Sequence, residues 1–219
     1  MHAVPPVIIQ SDGQIGIRLV DDPQAGSGHK HPLVLTQDQV ALVLKGLRVL
    51  KRQDSVVSLF KTDANAVPVF TEDEMKRLTP GLVQAFAHAT PQQLVTFSLH
   101  APAAAQQRAV TSGGLFIHDG HLFVILANHR TAPSISSEGA TTESPGIEDP
   151  LLSIRPRGFA LGFMPVEMQV PLTYVLMEEN RRLDDEAKVV VLDVQRVLAR
   201  SSIPPIPAMP AILGGPSLP

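Results

Sequence analysis

The sequence predicts an α+β fold, with an antiparallel sheet of about six to eight strands and two or three helices packed on it. Three observations carry this. Several segments alternate apolar and polar residues with a period of two. Two segments carry apolar residues at helical spacing behind a capping box. Twenty prolines and 15 glycines among 219 residues favour strands and turns over helix. At 44% hydrophobic and 18% charged, the chain can bury a core without staples.

Residues 7–20 read as a hairpin. Ile15, Ile17 and Leu19 alternate with Gly16, Arg18 and Val20, and Ser11-Asp12-Gly13 supplies the turn. Residues 21–31 read as a loop. The first helix starts at Thr36, with Gln39 completing a capping box and Val40, Val43, Leu44 and Leu47 forming one apolar face. Val49-Leu50 and Val56-Val57 read as short strands. A second helix starts at Thr71 with Glu72, Asp73 and Glu74 in its first turn. Pro80 should kink it, or stop it and open another helix capped by Thr79. Residues 94–100 alternate as a half-buried strand does.

Residues 109–130 give the strongest hairpin, with arms Val110–Ile117 and His121–Asn128 and a turn at His118-Asp119-Gly120. Leu122, Val124 and Leu126 face one way and Phe123 and Ile125 the other, as in a strand buried on both sides. Strands also follow at 159–163, 170–177 and 189–194. Of residues 131–150, twelve are Ser, Thr, Pro or Gly, which reads as a mobile loop. The organisation is therefore one α+β domain over 1–200. The tail at 201–219 holds six prolines and is expected to be extended.

Composition excludes several function classes. There is no cysteine, hence no disulfide framework, zinc ribbon, iron–sulfur cluster or thiol nucleophile. A net charge of −3 argues against a nucleic-acid partner. Lys45, Arg48, Lys51 and Arg52 form the one basic cluster, and it reads as a solvated helix end. No apolar run approaches the roughly 20 residues of a membrane-spanning helix. Met1–Pro6 lacks the basic region and apolar core of a signal peptide. The expected compartment is the envelope or periplasm if an export signal lies outside this chain, and otherwise the cytoplasm.

Eight histidines invite a metal reading. His118 and His121 flank the hairpin turn and are its candidate ligands, with Asp119 as a helper. His129 would lie about 26 Å along the strand from His121, too far to share one ion. His29-Lys30-His31 is a second, weaker pair. Ser112-Gly113-Gly114 lacks both the phosphate-loop and nucleophile-elbow patterns and reads as a bulge. Glu178, Glu179, Asp184, Asp185 and Glu186 alternate with Arg181 and Arg182, as on a solvated face. No catalytic residue and no cofactor is nominated.

Three stretches carry a resemblance: Thr36–Val49; Phe70–Val83; and Thr111–Phe116 with Gly120–Leu122 and Ala127-Asn128-His129-Arg130. Over residues 35–130 they resemble uncharacterised bacterial envelope proteins of lipoprotein-like type. The resemblance implies an exported scaffold or accessory protein and no active site. The lipid-attachment cysteine of such families has no counterpart here. The expected function is a non-catalytic envelope or complex-associated accessory protein acting through protein–protein contacts. Ile203, Ile206, Met209, Ile212 and Leu213 of the tail are the expected partner-binding residues. The alternative is a metal- or small-molecule-binding enzyme or carrier using the 110–130 hairpin.

Overall fold

A computed structural model describes residues 4–51, 66–102, 108–132, 149–154, 158–172 and 188–201. Strand β1 (Val7–Ser11) turns through Asp12-Gly13 into β2 (Ile15–Asp21). Helix α1 (Gln37–Gly46) runs into β3 (Leu47–Lys51); β4 (Ala66–Pro68) precedes helix α2 (Glu72–His88). Strands β5 (Gln93–Pro102), β6 (Arg108–His118) and β7 (His121–Thr131) form a meander. Then come β8 (Phe159–Phe163), β9 (Gln169–Val170), β10 (Val189–Asp193) and helix α3 (Val194–Ser201).

Seven strands make one sheet in the order β1-β2-β5-β6-β7-β10-β9, with every pairing antiparallel. The α+β expectation holds. A second sheet, β4-β3-β8, was not foreseen. Its central strand follows α1 without a turn residue, so the sequence shows no boundary between them.

The two expected capping boxes form. Thr36 Oγ1 accepts from Gln39 N while Thr36 N donates to the Gln39 side chain, and Thr71 and Glu74 repeat the arrangement. Each satisfies two amides that helix geometry leaves without partners. Pro80 does not stop α2, which is continuous from Glu72 to His88. Thr79 Oγ1 bonds Met75 O, so Thr79 sits inside the helix instead of capping a new one. Helix α3 was also unforeseen. Asp193 Oδ1 accepts from Arg196 N at its entry, and Val194 and Val197 reach the core.

The period of two places Ile15, Ile17, Leu19, Val95, Phe97, Leu99, Leu115, Ile117, Leu122, Val124, Leu126, Val190 and Leu192 on one face. All join one core with Val43 and Leu44 of α1 and Leu78, Leu82 and Phe86 of α2. A smaller cluster of Leu94, Phe116, Phe123, Val189 and Val191 lies on the opposite face, with Leu151 packed against it. Strand β5 is therefore buried on both faces and is not half-buried as expected. Its outward Thr96 and Ser98 are small and polar enough to suggest solvent, but they are covered.

The β6–β7 turn is Asp119-Gly120, with φ of +43° and +78°. Both central residues are left-handed, as a two-residue hairpin with the sheet's own twist requires. The register slips between Val110 and Gly113, but the extra residues lie on β7: Ser112 pairs with Asn128 and Gly113 with Leu126, so Ala127 bulges opposite Ser112-Gly113, where the sequence had placed the irregularity. Gly113 is obligatory: a Cβ there would collide with the Ile125 carbonyl. Of the strand expected over 170–177, the described residues include Gln169–Val170 as strand, and 173–177 lie outside the described residues. Val56-Val57, residues 133–148, Glu178, Glu179, Arg181, Arg182, Asp184, Asp185, Glu186 and the tail lie outside the described residues.

Candidate functional site

Two polar clusters sit at opposite ends of the β6–β7 hairpin. At the turn end, His118 pairs directly with His121 across the strands. The expectation of a solvent-exposed histidine turn holds only for its tip. Asp119 and Gly120 are exposed, whereas His118 and His121 are part-buried. The reason is the 22–35 segment, which folds back over this end of the sheet. His29 N donates to Pro91 O, Lys30 N to Ile117 O and Leu33 N to Phe86 O. This brings together the two histidine pairs that lie nearly 90 residues apart in sequence. The His29 ring lies 6.1 Å from that of His118 and 5.8 Å from that of His31, and packs on Phe116 at 4.6 Å.

Asp22 supplies the carboxylate of this cluster. Its Oδ2 lies 2.8 Å from His29 Nε2, and both side chains are buried. Asp22 Oδ1 meanwhile accepts from Gln24 N and fixes the turn that starts the segment. His31 is buried against Phe86, and among the described residues neither of its ring nitrogens has a hydrogen-bond partner. Burial first, and the neighbouring His29 second, push its pKa from 6.5 down to about 4. Asp119 Oδ2 lies 3.5 Å from His118 Nε2 at the tip. Among the described residues no group of three or more His, Asp or Glu side chains is placed to hold a metal ion.

The far end of the hairpin carries Ala127-Asn128-His129-Arg130, and each of the four ties β7 to other parts of the fold. Ala127 O accepts from Lys188 Nζ at 3.0 Å and from Ser153 Oγ at 3.2 Å. Asn128 Nδ2 donates to Ser112 Oγ and to Leu152 O, and its Oδ1 accepts from Ile154 N. This amide therefore grips the backbone on both sides of Ser153. His129 packs edge-on to Phe159 of β8. Its pKa is lowered, chiefly by burial and then by Arg130. Arg130, at φ +45°, donates through its backbone to Thr111 Oγ1 and through its guanidinium to Glu74 of α2.

Lys188 and Ser153 resemble a nucleophile and its base, since Nζ lies 2.6 Å from Oγ. The surroundings favour the opposite role. Lys188 is 2% exposed, and Nζ also donates to Ala127 O and lies 4.7 Å over the Phe159 ring. With Ala127 O, Ser153 Oγ and the Phe159 face all around it, Nζ joins the start of β10, β7 and the 149–154 segment, which is the geometry of a structural tie. The pair pins segment 149–154 to the sheet. No sequence pattern joins Ser153, Lys188 and Asn128, which stand 25 and 35 positions apart and meet only through the fold.

The basic cluster behaves as expected where it is described. Arg48 Nη1 donates to Lys45 O and Leu47 O at the end of α1. The tail residues Ile203, Ile206, Met209, Ile212 and Leu213 lie outside the described residues. No helix among the described residues is long and apolar enough to cross a membrane. No protein-family model, curated protein or solved structure matches the chain.

Proposed function

We propose that this chain is a non-catalytic accessory protein that works through protein–protein contacts, with the outer edge of β1 as its contact surface on the folded domain. The observation that carries the reading is the exposure of three large apolar residues along one edge. Val4, Val7 and Ile8 are 63%, 49% and 62% exposed, and β1 is a terminal strand of the seven-stranded sheet. An edge strand offers unpaired amides and carbonyls that an extended peptide can complete. Pro5-Pro6 before the strand and the register shift between Ile8 and Gln10 limit the pairing length. The occupant is therefore a short extended segment of a partner protein with apolar side chains to cover Val7 and Ile8.

The tail adds a second contact in this reading, through Ile203, Ile206, Met209, Ile212 and Leu213 between its prolines. In this reading the chain works in the cell envelope, the compartment expected from the sequence of residues 35–130. A signal peptide encoded upstream of Met1 would support that compartment. The contact itself is tested by affinity capture from native cells, followed by rebinding of the purified partner. Ile8→Lys should abolish rebinding and leave the thermal midpoint unchanged. Deletion of 202–219 should weaken it. Full rebinding by Ile8→Lys would remove β1 from the reading, and absence of any rebinding partner would remove the reading altogether.

A further inference from the structure

We propose that Asp22, His29 and His31 form an acid-sensitive clasp, which holds the 22–35 segment over the end of the sheet at neutral pH and releases it on acidification. The clasp is independent of the β1 contact. His29 and His31 are buried in contact with each other, and His118 of β6 lies against His29. The buried carboxylate beside them is Asp22, bonded to His29. A proton on His31 would place a positive charge in a buried site where its ring faces Phe86 and, among the described residues, neither accepts nor donates a hydrogen bond. Burying a charge under those conditions is costly, and the system avoids it by opening.

The surrounding groups do not remove this cost. The segment's own cation, Lys30, is exposed and adds positive charge. On the hairpin, His118 and His121 add titratable imidazoles, and Asp119 is an exposed carboxylate that reaches His118, not His31. From α2 the contact is Phe86, with exposed His88 bonding Gln84 O two residues further on. The lowered pKa of His31 agrees with this geometry.

Ahead of Leu35, which is anchored in the core, the segment is held by Asp22 N to Gln92 O, His29 N to Pro91 O, Lys30 N to Ile117 O and Leu33 N to Phe86 O. Opening lets His31 take up a proton in water and bares the ring faces of Phe86 and Phe116. Because the open form binds one more proton, its population rises by up to about tenfold per pH unit between 6.5 and 4.

Amide hydrogen exchange of the intact chain tests this, corrected for intrinsic rates and followed from pH 7.5 to 4.5. The amides of His29, Lys30 and Leu33 should lose at least tenfold in protection relative to Val124 and Leu126 of β7. In His31→Phe, which keeps a ring against Phe86, most of that pH dependence should vanish. Equal protection at both pH limits in the wild type, or an unchanged loss in His31→Phe, overturns the clasp. Should His31→Phe fail to fold, the wild-type His31 ring resonance decides. It must change protonation together with the exchange, and titration at its ordinary 6.5 with the amides still protected overturns the proposal.

Discussion

Glu74 receives the Arg130 guanidinium on both carboxylate oxygens, at 3.0 and 2.8 Å, while the same carboxylate accepts the Thr71 amide that caps α2. One side chain thus starts a helix and ties it to the end of β7. The two roles separate by mutation. Glu74→Gln keeps an acceptor for Thr71 and loses the ion pair; the expected cost is under about 1 kcal/mol, shrinking with added salt, because Arg130 is well exposed. Glu74→Ala also loses the cap, with an expected cost of about 1–2 kcal/mol. Urea denaturation at two salt concentrations measures both.

Asn128 makes three hydrogen bonds in a buried site. Asn128→Ala should cost about 2–3 kcal/mol, because Leu152 O and Ile154 N lose a partner. The effect should be local before it is global. Limited proteolysis should cut first within 149–154, and no change in cleavage there would show that the amide does not hold the segment.

Lys188 tests whether the far cluster is a pin. Lys188→Met keeps the stem and removes the donor, and Ser153 can still bond Ala127 O. The expected loss is about 1–2 kcal/mol in chemical denaturation. A serine-reactive phosphonate should not label Ser153 in the wild type. Stoichiometric labelling lost in Lys188→Met would reverse the assignment.

Two glycines of the hairpin should respond differently to alanine. At Gly113 a Cβ meets the backbone oxygen of Ile125, which cannot swing away, and a cost of about 3 kcal/mol is expected. At Gly120 there is open space but φ is +78°, so the cost should be about 1 kcal/mol from backbone strain alone. Thermal midpoints of the two variants should rank in that order.

Global stability should fall with acid over a defined window. The folded-state pKa of His31 is about 4 against 6.5 when unfolded, and that of His129 is also lowered. The unfolded chain therefore binds more protons below 6.5. Stability is fully present above that value and is lost as pH falls towards 4, by at most about 3 kcal/mol from His31. Denaturation midpoints at pH 7.5 and 5 should show this loss, and His31→Phe should reduce it.

Local signals in the sequence settled much of the architecture. The capping boxes at Thr36 and Thr71 fix two helix starts because their hydrogen bonds span only three residues. The hairpins at 7–20 and 109–130 follow from turn chemistry and a period of two. Of the two expectations at Pro80, the stop fails, because a proline's cost can be absorbed within a helix packed on a core, which local propensity does not register. Strand β5 misled because Thr96 and Ser98 read as solvent-facing, whereas both of its faces are covered.

The candidate sites divide in the same way. His118 and His121 were legible as a pair, since a two-residue turn sets them opposite each other. That His29 and His31 would close over them was not, because that contact depends on a segment crossing the end of the sheet from another part of the chain. Ala127–Arg130 stood out as a motif, but its four separate ties are visible only once Glu74, Ser112, Ser153, Phe159 and Lys188 are in place. What the sequence determined alone were interactions between near neighbours, where chain connectivity supplies the proximity. What the tertiary structure decided were the contacts between distant residues, where only the packing of both sheet faces brings the groups within reach.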